Sequence, residues 1–193
     1  MRTINNFLQI FFDAVTQFKE NLPISLYFLA ILFGIHILNF ILKYRLNILG
    51  IQPRAEWGFI GIPFSPFLHG NFSHLIFNAI PLFIFSNFIL LQGANLFYIV
   101  TAIIILISGL LIWLFARPGI HIGASSLIMG YFGFIVIDIY LKPTALSIVI
   151  GLVALFYFGG MFSNLFPDRD KQISWEGHVF GFVAGIITAW ICM

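Results

Sequence analysis

Residues 73–91 read SHLIFNAIPLFIFSNFILL, a run without a single Asp, Glu, Lys or Arg. A helix needs about 20 predominantly apolar residues to cross the hydrocarbon core of a bilayer, and this run supplies them. Working outward, comparable runs lie at about 24–42, 96–116, 124–141, 145–164 and 175–193. Breaks separate them at Gly93-Ala94-Asn95, Arg117-Pro118-Gly119, Lys142-Pro143 and Pro167 to Lys171. The composition agrees: 61% of the 193 residues are hydrophobic and only 8% charged, against about 25% charged in a soluble domain. So few charges cannot cover a soluble globule, which excludes a cytosolic enzyme and a disordered tail. The net charge of +2 is too small to indicate nucleic acid, and a single cysteine, Cys192, excludes an internal disulfide. The chain therefore reads as an all-α polytopic membrane protein, a compact bundle of six spans.

Two segments fall outside the spans. Residues 1–22 carry Arg2, Asp13, Lys19 and Glu20 among Phe7, Leu8, Phe11, Val15 and Phe18 at roughly helical spacing. They read as an amphipathic segment on the membrane surface, preceding a six-span domain at 23–193. Residues 43–72 stay apolar but are punctuated by Pro53, Pro63, Pro66, Gly50, Gly58, Gly61 and Gly70. Such a stretch is a poor spanning helix and reads as a structured loop dipping into the membrane between spans one and two.

Polar groups inside spans are expensive, so each calls for an account. His74 and Asn78 are four residues apart and share a helix face. Interhelical hydrogen bonding would explain them, as would a pair of donors aimed at one point. Ser125 follows Gly123 and Ala124 at a helix start, where unpaired backbone N–H groups suit an oxyanion; a simple N-cap is the alternative. His178 precedes Gly181 and Gly185, a small-residue pair that lets helices pack closely. If the fourth span were the neighbour, His178 could take the proton of Ser125, the requirement for an acyl-transfer nucleophile. Otherwise it is a packed histidine bonded to a carbonyl. His36, Asn39, Asn87 and Asp138 also fall at membrane depth.

Taken together, these residues resemble the rhomboid family of intramembrane serine proteases. His69-x4-His74-x3-Asn78, Gly123-Ala124-Ser125-Ser126 and His178-x2-Gly181-x3-Gly185 resemble the motifs of that family's second, fourth and sixth spans, in that order. The resemblance covers about 50–190. It implies a Ser125–His178 dyad, with Ser125 as nucleophile and His178 as general base. The oxyanion hole would be His74, Asn78 and the backbone N–H of Ser125. His69 would hold the loop against the bundle, and Gly123, Gly181 and Gly185 would serve packing. Three positions depart from the family's usual pattern: Ser126 stands for Gly, Met129 for an aromatic, and Gly177 for Ala.

The implied activity is endoproteolysis of transmembrane segments near the membrane boundary, with transmembrane proteins as substrates and the bilayer as surroundings. The alternative is a silent relative that binds or escorts membrane helices, although such relatives usually lack the Ser or the His. No cofactor is expected. No metal is expected either, since neither H-E-x-x-H nor a carboxylate at ligand spacing accompanies the five histidines. The resemblance implies a bacterial inner membrane with both termini cytoplasmic. The positive-inside rule points the other way: Arg2, Lys19 and Lys142 flank the terminal side, whereas Lys43, Arg45, Arg54, Arg117, Arg169 and Lys171 flank the opposite one. No sequence feature specifies an oligomeric state.

Overall fold

A computed structural model describes residues 2–158 and 175–192. Among them are α1 (Arg2–Ile41), α2 (Phe72–Leu90), α3 (Ala94–Phe115), α4 (Ser125–Leu141), α5 (Ala145–Phe158) and α6 (Trp175–Cys192). The described residues are all-α, apart from one isolated antiparallel bridge between Ile51 and His121. Apart from the start of α1, the helices fall where the apolar runs place them, within a few residues at each described end. The expected end of the fifth run at 164, and the break at Pro167 to Lys171, lie outside the described residues. Within α1, α2, α3 and α6 there are segments long and apolar enough to cross a bilayer, and α4 is a shorter apolar helix.

The N-terminal expectation needs one correction. A surface segment ending at 22 and a separate first span were expected, but a single helix runs through Pro23. Proline removes one intrahelical N–H bond, and neighbouring side chains hold this turn. Ser25 Oγ donates to the Leu22 carbonyl at 3.0 Å, and Asn21 Nδ2 donates to the Leu90 carbonyl at the far end of α2, 3.1 Å away. The apolar part of α1, Leu8–Ile41, counts 34 residues. At 1.5 Å per residue that is about 51 Å, well beyond the ~30 Å of a hydrocarbon core.

The core is centred on α4. Tyr131, Phe132 and Phe134 of this helix are among the largest fully buried side chains. The Tyr131 hydroxyl lies 2.6 Å from Thr101 Oγ1 of α3, a part-buried hydrogen bond between the two helices. Helices α4 and α6 meet backbone to backbone. A β-carbon on Gly181 would collide with the Ser126 carbonyl oxygen, one on Gly185 with that of Gly130, and one on Gly133 with that of Phe182. Because Gly181 faces Ser126 and Gly185 faces Gly130, the two helices run parallel. Helix α2 runs the same way: His74 lies at Gly123 near the start of α4, and Gln92, just past α2, bonds Asp138 near the end of α4. The N-termini of α2, α4 and α6 therefore gather at one end of the bundle.

The connection from α1 to α2 consists of short 3-10 turns at Arg45–Leu49, Gly58–Gly61 and Ser65–Phe67. Side chains and backbone tie it down at both ends. Asn39 near the end of α1 accepts from the Leu46 N–H at 3.0 Å and donates to Asn47 Oδ1 at 2.8 Å. Arg54, in the left-handed region at φ 59°, donates to the Ala116 carbonyl at 2.8 Å, and Trp113 Nε1 donates to the Ala55 carbonyl at 2.9 Å. Paired N–H to carbonyl bonds of 2.8 and 3.0 Å between Ile51 and His121 join this loop to the segment that leads into α4. Trp57, Phe59, Ile60 and Phe64 remain exposed on its outer side.

Candidate active site

Ser125 is the first residue of α4, and the N-cap is Ala124, which offers no side-chain acceptor. The N-cap alternative for Ser125 is thereby corrected. Gly123 turns the chain at φ 116°, and helical geometry begins at Ser125 itself, one residue earlier than a Ser125 cap would require. The first intrahelical bond runs from the Ile128 N–H to the Ala124 carbonyl at 2.9 Å. The N–H groups of Ser125, Ser126 and Leu127 precede that bond and have no acceptor within the helix. Together with the helix dipole they make the start of α4 electropositive.

Gly123 is needed at this point for two reasons. Its φ lies in the region that favours glycine, and a β-carbon there would come within 2.9 Å of the His74 ring. Asn78 Nδ2 lies 3.7 Å from the same β-carbon position. His74 and Asn78 thus both reach Gly123, two residues before Ser125. Their own turn is set by Asn71, whose Oδ1 accepts from the His74 N–H at 2.8 Å as the N-cap of α2. Asn78 Nδ2 also donates to the His74 carbonyl at 3.0 Å, a bond within its own helix. Below the turn, the Gly123 N–H donates to the Ser65 carbonyl at 2.9 Å, so the loop fixes the approach to α4.

His178 is buried and lies one turn before Gly181 on α6. The Gly185–Gly130 and Gly181–Ser126 contacts bring the first turn of α6 to the start of α4. A cavity of about 20 Å³ agrees, since Gly177 shares its wall with Ser125, Ser126, Gly123, Ser65 and His121. That volume holds about one water molecule. Arg117 Nε meets Glu176 Oε1 at 3.2 Å, tying the α3–α4 connection to the first turn of α6.

His69 is fully buried at the end of the loop. Its ring lies edge-on to His74, with centroids 5.0 Å apart, and to His36 of α1 at 6.3 Å. Burial pushes the His69 imidazole down to about 3, and the neighbouring His74 adds to the effect. Met129 is fully buried within α4. Asn87 belongs to the helix contacts: it accepts from Ser25 Oγ at 3.2 Å and donates to the Phe83 carbonyl at 2.8 Å. Among the described residues no group of three or more His, Cys, Asp or Glu is arranged to hold a metal.

Ser65, Arg54 and the Arg117–Glu176 pair do not stand out in the sequence. Ser65 acts through its carbonyl, which every residue has, and Arg54 acts through carbonyls of α3 that no local pattern predicts. The Gly130 and Gly133 positions on α4 were legible in principle, since a small-residue pair on the facing helix complements Gly181 and Gly185.

A family profile described as the Rhomboid domain matches residues 56–193. Proteins of Mycobacterium bovis and Mycobacterium tuberculosis, both described as uncharacterized, are each 36% identical over 172 residues, covering 85% of this chain and 72% of theirs. A Mycobacterium leprae protein with the same description is 32% identical over 172 residues, covering 85% of this chain and 68% of its own.

Proposed function

Since the chain belongs to the rhomboid family of membrane proteins, we propose that it is an intramembrane serine endopeptidase working through Ser125 and His178. The observation that carries this reading is the gathering of three motifs at one end of parallel α2, α4 and α6, with Gly123, Ser125 and Gly177 around one small cavity. The proposed sequence of steps balances. His178 takes the Ser125 proton as the hydroxyl oxygen adds to a substrate carbonyl. The resulting oxyanion faces His74, Asn78 and the Ser125 N–H. His178 then returns the proton to the leaving amine, and a water molecule hydrolyses the acyl-enzyme by the same route. The hydrogen bond between the two side chains is part of the proposal, since such bonds often tighten only when substrate is bound.

Two further features support it. Helix α4 has 17 residues, about 26 Å at 1.5 Å per residue, which is shorter than the ~30 Å core. With its far end at one face of a bilayer, its first residue lies below the other. The exposed Trp57, Phe59, Ile60 and Phe64 suit a loop that dips into the interfacial region beside the site. In this reading the domain makes six crossings, and both termini face the cytoplasm of a bacterium. Substrates are transmembrane proteins with helix-destabilising residues near the boundary.

The test is labelling of the reconstituted protein with a serine-reactive fluorophosphonate, alongside cleavage of a single-span substrate. Wild type should label and cleave. Ser125→Ala should lose both, and Ser126→Ala should keep both. Asn78→Ala should retain a residual rate, because one oxyanion donor contributes about 2.7–4 kcal/mol to the transition state. Cleavage by the Ser125→Ala protein would overturn the assignment, and a wild type that never labels would favour a helix-binding role instead.

A further inference from the structure

At the end of the bundle away from Ser125, a cavity of about 140 Å³ opens between the ends of α2 and α4 and the start of α5. Its walls are of two kinds. Phe88, Leu91 and Ile135 give it an apolar side, and Gln92, Asp138 and Lys142 give it a polar one. Asp138 is only 5% exposed, although it lies in an apolar helix. Gln92 Nε2 donates to its Oδ2 at 2.8 Å. A carboxylate has room for about four hydrogen bonds, and one amide leaves most of that capacity open. A buried carboxylate in a membrane protein is costly unless a cation or further donors meet it.

The neighbouring groups meet that need only in part. Lys142 lies one turn further along, and its backbone N–H caps the Asp138 carbonyl at 2.8 Å, but among the described residues no ion pair joins the two side chains. The Thr144 and Ser147 hydroxyls are engaged by each other and by the Lys142 carbonyl, which closes off the start of α5. The cavity therefore presents an open carboxylate inside, an ammonium at the rim and an apolar wall alongside.

We propose that this cavity is a headgroup site for an aminophospholipid. The protonated primary amine donates to the open oxygen of Asp138, the phosphate faces Lys142, and the acyl chains lie along Phe88, Leu91 and Ile135. A primary ammonium suits the site because it brings both charge and N–H donors. A trimethylammonium brings charge without donors, and a lone carboxylate is a poor cage for a metal ion. The same zwitterionic chemistry also exists free in water as phosphoethanolamine, but the apolar wall assigns the site to the lipid.

The test is native mass spectrometry of the full chain, released from micelles doped with equal amounts of phosphatidylethanolamine, its N-methylated forms and phosphatidylcholine. Wild type should retain one phosphatidylethanolamine several-fold over phosphatidylcholine, with retention falling stepwise as methyl groups replace N–H donors. Asp138→Asn, which still accepts from Gln92, should lose the preference. Equal retention along the methylation series overturns the proposal without need of any variant, and an unchanged preference in Asp138→Asn overturns the role of Asp138. Displacement of the lipid by an equal concentration of soluble phosphoethanolamine would assign the site to a soluble amine and overturn the lipid as occupant.

Discussion

Helix α6 and helix α1 both pack onto the bundle, but by opposite means. Between α6 and α4 the contact is backbone on backbone, made by Gly181, Gly185, Gly130 and Gly133, whose missing side chains leave no room for adjustment. Between α1 and α2 it is made by side chains: Asn21 on the Leu90 carbonyl, Ser25 on Asn87, and His36 near Phe72. A glycine seam fixes the axial register of two helices to within a fraction of an ångström, because close-packed backbones have no rotamers to change. Side-chain contacts leave each bond replaceable. The candidate nucleophile and base lie on the helices joined by the first kind of contact, and the second kind holds α1 against α2 and the loop.

Breaking the seam should therefore cost most. Gly185→Leu places a side chain against the Gly130 carbonyl and the Phe134 backbone nitrogen. A loss of about 3 kcal/mol is expected, since neither backbone can yield. Thermal unfolding in detergent should show it as a large drop in melting temperature, with activity lost alongside.

The α1–α2 side should instead respond to pH. His69 has a folded value of about 3, and an unfolded imidazole titrates near 6.5. Below about pH 6.5 the unfolded chain takes up the proton first, so stability is full above that pH and declines as pH falls towards 3. Melting temperatures measured from pH 7.5 to 4.5 should fall in wild type and fall less in His69→Asn. An equal decline in both would remove His69 as the cause.

Smaller still is the effect of a single side-chain bond. Ser25→Ala removes the donor to Asn87 and should cost about 1 kcal/mol or less, the usual scale for interhelical bonds in membranes. The smallest is expected at Gly34, where a β-carbon would meet nothing within 4 Å. Gly34→Ala should leave the melting point unchanged or raise it slightly, because alanine is the better helix former by about 1 kcal/mol. A large loss at Gly34 would show that α1 packs more tightly than its contacts indicate.

Much of this protein is legible from its residues alone. The apolar runs set the helices, because a bilayer demands that every backbone polar group be satisfied within its own segment. The ordered motifs around His74, Ser125 and His178 point to the family, because polar groups at membrane depth are too costly to be incidental. The division placed between residues 22 and 23 misleads at that level: the helix runs through Pro23, since Ser25 and Asn21 hold the turn and no local rule foresees Asn21 reaching the end of α2. The N-cap of α4 likewise falls on Ala124, because Gly123 takes a positive φ that Ser65 and His74 impose from elsewhere in the chain. Tertiary structure also decides that α6 pairs with α4 in parallel register, that His69 is sealed between α1 and α2, and that Asp138 faces a cavity with Gln92. Each of these depends on contacts between residues far apart in sequence, and the apolar pattern that writes the helices is the same on every side of them.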